Sequence, residues 1–304
     1  MKKFFLFLLP LLFFSCKGKK DLYDLVRKVP QQKLIPPGTV WLRDNIFIDQ
    51  TEIENFSWQE FLFWLSKKEP ARYAAMCPDT LCWSRADVGS ASELANFYFK
   101  DIAYRNYPVV GISYDQAGEY CNWRTDRVNE YLYLKEKKLK YHPDSNYVAR
   151  APKRVKFRLP SSEEWEYAAA AGLEFCKFPM GYESIIDKYG IPVSNTFEYY
   201  VYYKKEFERC SDTLYITDPA DPVNSGKPNK YGLFHMLGNV SELVGGAMCK
   251  GLNYSTPVYS MRREESEGGS YTMRTETYNY KLSTNYTRPE PWLGFRCVCE
   301  VLQK

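Results

Sequence analysis

The stretch FRLPSSEEWEYAAAAG, residues 157–172, carries a complete set of helix signals. Ser161 stands where an N-cap belongs, and Glu164 follows three residues later. Each of these side chains can therefore accept a hydrogen bond from a free backbone N–H group at the helix start. Gly172 is placed to end the helix, because glycine adopts the left-handed conformation of a helix C-terminus without strain. We predict a helix that begins after Ser161 and ends at Gly172.

Two upstream stretches carry the same signature. In SWQEFLFWLSKKE, Ser57 is followed three residues later by Glu60, and in SYDQAGEYCNWRTDRVNEYL, Ser113 is followed by Gln116. We therefore predict two further helices, with Ser57 and Ser113 as their N-caps.

The rest of the chain is rich in turns and contains short aromatic segments that are typical of strands. These segments are YYVYY, TLYIT, GSYTMRT and FRCVCEV. Aromatic residues are favoured on the half-buried surface of a sheet. Few helices, many short strands and long irregular stretches predict one α+β domain over residues 38–304 with little regular secondary structure.

The composition is that of a globular protein with many aromatic residues. Of the 304 residues, 45% are hydrophobic and 26% charged, with 26 Tyr, 18 Phe and 7 Trp. Tyrosine combines an apolar ring with a polar tip, so this abundance suits irregular cores and interaction surfaces. The formal net charge is only +4. We therefore expect no nucleic-acid partner, since such binding depends on strong basic patches.

The N-terminus, MKKFFLFLLPLLFFSCKGKKD, is typical of a lipoprotein signal peptide. Two lysines precede an apolar run, Phe4 to Phe14, that is too short to span a bilayer. A small residue, Ser15, and then Cys16 follow it. We predict that residues 1–15 are removed, that Cys16 is lipidated and that residues 16–37 form a tether. The alternative is an ordinary secretory signal with cleavage nearby.

The number of cysteines favours disulfide bonds if the chain is exported. Eight cysteines remain besides Cys16, and an even number in an exported chain favours some disulfides. Cys77 and Cys82 could close a small loop. The wide spacings do not match a zinc site. The eight are Cys77, Cys82, Cys121, Cys176, Cys210, Cys249, Cys297 and Cys299; the partners of Cys176, Cys210, Cys249 and Cys299 stay open.

Several segments, read in order, resemble the formylglycine-generating enzyme (sulfatase-modifying factor) family. The resemblance implies that family's fold, an irregular α+β arrangement distantly related to C-type lectins. The segments are DQTEIENFSWQEFLFWL (49–65), YPVVGISYDQAGEYCNWR (107–124), FRLPSSEEWEYAAAAG (157–172), NKYGLFHMLGNVSELVGG (229–246), EGGSY (267–271) and WLGFRCVCE (292–300).

A narrower resemblance is to a branch of anchored lipoproteins. CPDTLCW, then FYF, then YRNYPVVGISYDQAGEYCNWRT is similar to GldK, PorK and GldJ of the Bacteroidota type 9 secretion and gliding machinery. That resemblance implies a lipid anchor in the outer membrane and partners among the subunits of an outer-membrane complex. No acidic cluster follows Cys16, which favours the periplasmic face over the cell surface.

The resemblance also locates the catalytic positions. Family enzymes that make formylglycine bind copper through two cysteines after Gly-Gly-Ser-Tyr, and these positions fall at Met273 and Tyr278. Neither side chain can form a thiolate, the soft ligand that copper(I) needs. Met273 could bind copper weakly as a thioether, but we prefer a methionine packed in the core.

Related iron enzymes need three histidines, whereas this chain has two, His142 and His235. A three-histidine iron site is excluded, and a mixed-ligand site is left open. We expect a chain without a catalytic metal and without enzyme activity.

Calcium is the one metal ion that the resemblance favours. Family enzymes hold structural calcium with backbone carbonyls and with Asn, Asp or Glu side chains, which are hard oxygen ligands. Asn239, the Val240 carbonyl and Glu242 match one such site, and Asn195 matches the start of another. The alternative is a helix start capped by Asn239 or Ser241.

Two kinds of covalent feature complete the expectations. The family disulfide corresponds to Cys121 and Cys297, with two buried free thiols as the alternative. Thr80 and Thr213 each follow Asp in an Asp-Thr-Leu triplet that resembles the Bacteroidota O-glycosylation pattern. The pattern is short, so chance matches are common.

Three functions compete on these observations. The favoured one is a non-catalytic outer-membrane lipoprotein that acts as a structural or docking subunit of a cell-envelope complex, in type 9 secretion or gliding motility. The second is a glycan- or peptide-binding module that uses the former active-site groove, with Tyr271, Tyr278 and Tyr280 as contacts. A divergent metal-dependent oxidase is the least favoured.

Overall fold

The computed structural model describes most of the chain after residue 33. It covers residues 34–86, 90–142, 145, 147–173, 195, 220–254, 259–265, 271–278 and 283–302, with only the backbone for 259–265 and 271–278. The predictions for residues 1–33, including Cys16, and for Thr213 and Tyr280 lie outside the described residues, as do Cys176 and Cys210.

Five α-helices lie in the described residues, all in the first part of the domain. They are α1 (Asn55–Lys68), α2 (Pro70–Met76), α3 (Ala91–Phe97), α4 (Tyr114–Lys137) and α5 (Ser162–Ala170). Two short 3₁₀ turns, Thr80–Arg85 and Ile102–Tyr104, lie between them. None of these helices is both long and apolar enough to cross a membrane.

The strands are short and form two four-stranded sheets and a hairpin. The first sheet has the order β1-β2-β10-β3, the second the order β8-β5-β4-β9, and β6 pairs with β7. The strands are β1 (Thr39–Arg43), β2 (Ile46–Asp49), β3 (Val155–Arg158), β4 (Ser241–Val244), β5 (Met248–Lys250), β6 (Tyr259–Glu265), β7 (Tyr271–Tyr278), β8 (Ser283–Asn285), β9 (Leu293–Gly294) and β10 (Val298–Val301).

Two of the three predicted helix caps are confirmed. The Ser113 hydroxyl accepts from the Gln116 backbone N–H at 3.1 Å, and the Ser161 hydroxyl accepts from that of Glu164 at 3.1 Å. In both cases the later side chain also accepts from the backbone N–H of the serine. Helix α5 ends as predicted, with both Ala171 and Gly172 in the left-handed conformation.

The prediction of Ser57 as an N-cap is wrong. Helix α1 begins at Asn55, and its N-cap residue, Glu54, makes no side-chain cap. The Asn55 N–H donates to the carbonyl of Tyr107, and the Phe56 N–H donates to that of Arg105. Because distant carbonyls satisfy these first N–H groups, the helix can start without a serine cap.

The core joins the helices to both sheets. Trp58 of α1 stacks on Tyr120 of α4 at 5.4 Å between ring centroids, and Phe295 meets Trp58 edge-on. A second cluster places Trp165 of α5 among Val298 of the first sheet and Val244 of the second. Ser241 begins strand β4, so the alternative of a capped helix start at Asn239 or Ser241 is wrong. The α+β prediction with limited regular structure is confirmed.

Candidate functional site

Strand β7 carries Met273 and Tyr278, the positions predicted from the resemblance to match the copper cysteines of the enzymes. Its backbone runs antiparallel to β6, with Met273 opposite Arg263 and Tyr278 opposite Tyr259. The side chains of this hairpin lie outside the described residues. The roles predicted for Met273, and for Tyr271, Tyr278 and Tyr280 as a contact surface, therefore stay predictions.

A fully buried ion pair lies between β4 and the segment that leads into β10. Arg296 and Glu242 are 0% and 1% exposed. The guanidinium donates to the carboxylate from Nη2 at 2.6 Å and from Nε at 2.8 Å, and the Trp165 indole donates to the same carboxylate at 2.8 Å. The guanidinium of Arg296 also donates to the backbone carbonyls of Asp49, Gln50 and Phe234. The Arg296–Glu242 pair thus joins both sheets, and Glu242 also connects it to α5.

Asn239 is a second buried junction. It has a positive φ of 61°, a conformation that asparagine tolerates better than most residues. Its Oδ1 accepts from the Asp221 N–H at 2.8 Å, and its Nδ2 donates to Glu52 Oε1 at 3.0 Å. The Asn195 side chain donates to the same Oδ1 at 3.3 Å. Four distant segments are held together at this residue.

The side chains expected to bind calcium contact protein groups in this arrangement. The oxygens of Glu242 face the positive guanidinium of Arg296, and Oδ1 of Asn239 accepts two hydrogen bonds. A calcium ion needs six or more free oxygen ligands. In the described part of the chain, no three His, Cys, Asp or Glu residues converge as a metal site. Calcium at Asn239, Val240, Glu242 and Asn195 therefore stays a prediction from the resemblance alone.

Glu52 has the most perturbed carboxyl group among the described residues. Burial raises its pKa to about 8, against the opposing effect of nearby Arg296. Its Oε2 atom is buried and has no hydrogen-bond partner in the described structure. The carboxyl group is therefore largely protonated near neutral pH.

The two histidines occupy opposite environments. His142 is exposed, whereas His235 is 3% exposed, and its Nε2 lies 3.2 Å from both the Ser225 hydroxyl and the Pro222 carbonyl. Burial lowers the pKa of His235 to about 4. His235 is thus a neutral, hydrogen-bonded core residue, and it does not meet His142 in a common site.

The structure brings Cys121 and Cys297 together. Their sulfur atoms lie 3.6 Å apart, one on α4 and one beside β10, and both are free thiols here. A bond of about 2.05 Å would need a small approach of the two side chains. Cys77 and Cys82 are also free thiols, at half-buried and buried positions. Both disulfides stay predictions.

Thr80 is the first residue of the 3₁₀ turn Thr80–Arg85. The preceding Asp79 accepts from the Leu81 N–H at 3.0 Å and pairs with Arg85 at 3.0 Å. The aspartate of this Asp-Thr-Leu triplet therefore has a structural role, and glycosylation of Thr80 stays a prediction.

A cleft lies between α1 and α4 beside the end of β2. Its volume is about 480 Å³, and aromatic and acidic side chains line it together. We call it the α1–α4 cleft, and its main side chains are Glu52, Glu54, Phe56, Glu60, Trp123 and Tyr131. Sequence reasoning missed this site. The available signal was the unusual density of carboxylates in an aromatic stretch, TEIENFSWQEF at 51–61.

Comparison with known proteins defines the class. The family model of the sulfatase-modifying factor enzyme 1-like domain matches residues 18–301, and the chain belongs to this family. The formylglycine-generating enzyme of Mus musculus is 27% identical over 216 residues, which cover 65% of this chain and 45% of that enzyme. The inactive C-alpha-formylglycine-generating enzyme 2 of Mus musculus is 26% identical over 136 residues, covering 44% and 30%. The chain thus spans less than half the length of these relatives.

Solved structures with some similarity to the chain have low sequence identity to it. CarF has a TM-score of 0.45 and 18% identity, covering 84% of this chain and 86% of CarF. Treponema denticola variable protein 1 has a TM-score of 0.43 and 15% identity, covering 88% and 92%.

Proposed function

We propose that this chain is a non-catalytic outer-membrane lipoprotein that serves as a docking subunit of a cell-envelope complex, in type 9 secretion or gliding motility. The observation that carries the proposal is the pair Met273 and Tyr278 on β7, where the enzymes of the family need two thiolates. A thioether and a phenol cannot replace them in copper(I) and oxygen chemistry.

Two further observations support a non-catalytic role. Relatives that match the chain include proteins named as inactive forms of the enzyme. Two of the described groups with strongly shifted pKa values, Glu52 and His235, are hydrogen-bonded inside the core. Such shifts also arise in structural networks, so they do not by themselves mark catalysis.

The first experiment measures catalysis directly. The full chain is purified in detergent, its copper and iron are quantified by mass spectrometry, and oxygen consumption is followed with a cysteine-containing peptide. We expect substoichiometric metal and no turnover. Stoichiometric copper or iron together with peptide-dependent oxygen consumption would overturn the non-catalytic proposal.

The second experiment tests docking. The chain with a C-terminal tag is recovered from detergent-solubilised membranes of its host, beside the Cys16→Ser variant as a control that cannot be lipidated. We expect a defined set of envelope proteins with the wild-type chain and loss of membrane association in the variant. Recovery of the wild-type chain only as a monomer would contradict the docking role.

A further inference from the structure

The α1–α4 cleft contains negative charge that the chain itself does not neutralise. Glu54 and Glu60 are half-buried, and burial raises the pKa of both. Neither carboxylate forms an ion pair within 4 Å in the described part of the chain. The nearest influence on Glu54 is Arg105, whose guanidinium lies over the Phe56 ring at 5.6 Å. Two partly desolvated carboxylates in one cleft favour a cationic group between them.

The basic residues that line the cleft are already neutralised. Arg124 is bound by both oxygens of Asp49, at 2.7 and 2.8 Å. Arg127 pairs with Glu130 at 2.6 Å. The charge available to a ligand in the cleft is therefore negative, which disfavours anions and nucleic acids.

Two side chains that line the same cleft contain polar atoms without partners. Oε2 of Glu52, a side chain that is 1% exposed, and the indole N–H of Trp123 are buried and lack hydrogen-bond partners in the described structure. A buried polar atom without a partner is costly, so a ligand that satisfies it gains affinity. An extended peptide offers both N–H and C=O groups along its backbone.

The rim of the cleft is aromatic. Phe56 and Tyr131 are each 43% exposed, although large apolar side chains are usually covered. Aromatic faces bind guanidinium and ammonium groups, and they also cover the aliphatic stems of Arg and Lys. The rim of the cleft therefore suits both the aliphatic stem and the charged end of a Lys or Arg side chain.

From this arrangement we propose that the α1–α4 cleft binds an extended peptide segment of a partner protein that carries lysine or arginine. The proposal rests on the docking function and names its site and the chemistry of its partner. Glu54 and Glu60 hold the cationic group, and Phe56 and Tyr131 cover its stem. The unpartnered polar atoms of Glu52 and Trp123 bind the peptide backbone.

The test uses the full chain in detergent and fluorescent octapeptides of glycine, alanine and threonine with two central arginines. The same peptide with citrulline in place of arginine removes the charge and keeps the shape. Fluorescence anisotropy should show binding of the arginine peptide and a loss of about tenfold or more for the citrulline peptide. Equal affinity for both peptides would overturn the proposal.

Variants locate the binding site. Glu54→Gln combined with Glu60→Gln removes both charges with little change of shape and should weaken the arginine peptide by about tenfold or more. Glu93→Gln, at an exposed position on α3, is the matched control and should leave the affinity unchanged. Thermal unfolding checks that the variants are folded, and Tyr131→Ala should also weaken binding. A double variant that is folded and binds normally contradicts the site.

A further comparison separates this proposal from the docking function itself. If the tagged double variant recovers the same envelope proteins as the wild-type chain, docking stands and the cleft proposal fails. If the wild-type chain is recovered alone yet binds the arginine peptide, the docking function fails and the cleft remains a peptide site. Concentration-dependent self-association that the double variant abolishes would identify a second copy as the occupant and overturn the proposed partner.

Discussion

Arg296 and Glu242 form an ion pair with no exposure to solvent, with Nη2 of the arginine 2.6 Å from Oε1 of the glutamate. The pair connects the two sheets at the point where Trp165 of α5 also donates to the carboxylate. Removal of either residue would therefore leave the charge of the other buried and without a partner.

We expect Arg296→Met to destabilise the protein by about 3–5 kcal/mol, because it leaves the Glu242 carboxylate buried and unpaired. Urea unfolding measures the change. Arg72→Met is the control: Arg72 pairs with Glu69 and Glu119 at a side chain that is 45% exposed, and its loss should cost about 0–1 kcal/mol. Similar losses in both variants would show that burial does not decide the effect.

Oxidation should join Cys121 to Cys297. The bond would close a loop across 176 residues and raise the free energy of unfolding by about 2–4 kcal/mol. Unfolding of oxidised and reduced protein gives the difference, and alkylation with peptide mass mapping identifies the pair. The Cys297→Ala variant should lose this redox dependence. Alkylation of both thiols in oxidised, unfolded protein would exclude the bond.

His235 should make the protein less stable in mild acid. The pKa of His235 is about 4 in the folded protein and its ordinary value is 6.5, so the unfolded chain binds more protons between these values. The contribution of His235 to the free energy of unfolding should therefore fall as the pH drops from about 6.5 to 4, by roughly 3 kcal/mol at most. Relative to wild type, His235→Asn should gain stability as the pH falls through this range, whereas His142→Asn should not. An unchanged pH dependence of stability in His235→Asn would contradict the assignment.

Glu52 should have the opposite effect on how stability depends on pH. Its folded pKa of about 8 exceeds the ordinary glutamate value of 4.5, so the folded state binds the extra proton between these pH values. This contribution to stability is present below about pH 4.5 and is lost as the pH rises toward 8. Glu52→Gln imitates the protonated form, so its stability relative to wild type should increase with pH, by at most about 1.4 kcal/mol per pH unit. If the difference in stability between Glu52→Gln and wild type does not grow between pH 5 and 8, the raised pKa of Glu52 is refuted.

Two glycines should respond oppositely to alanine. Gly111 has a φ of 66°, and a Cβ atom there would lie 2.6 Å from the Asp79 carbonyl oxygen, so Gly111→Ala should destabilise the protein. Gly118 lies within α4, and a Cβ atom there would meet nothing within 4 Å. Gly118→Ala should stabilise it by about 0.5–1 kcal/mol. Thermal melting of both variants checks the signs, and destabilisation by Gly118→Ala would show a contact that the structure lacks.

Contacts between residues close in the sequence could be predicted, whereas contacts between distant segments could not. The caps of α4 and α5 depend on residues three positions apart, and the prediction of both is confirmed. The start of α1 was mispredicted because its first N–H groups donate to carbonyls about fifty residues later in the chain.

The candidate sites show the same limit. The motif around Asn239 and Glu242 gave no sign of the ion pair that Glu242 forms with Arg296, because Arg296 comes from a distant segment. The α1–α4 cleft likewise combines residues before and within α1 with others on α4. Its side chains become neighbours only when the two helices pack together.

The place of β10 in the first sheet has a consequence for biogenesis. This strand lies between β2 and β3 although it is made long after both. The emerging chain cannot complete the sheet until Val298–Val301 has been synthesised. Until then, the edges of β2 and β3 that pair with β10 have no partner. Such non-local pairing slows folding and exposes the intermediate to aggregation. For a chain that is exported as proposed above, late folding would also keep the polypeptide in the extended state that translocation across a membrane requires.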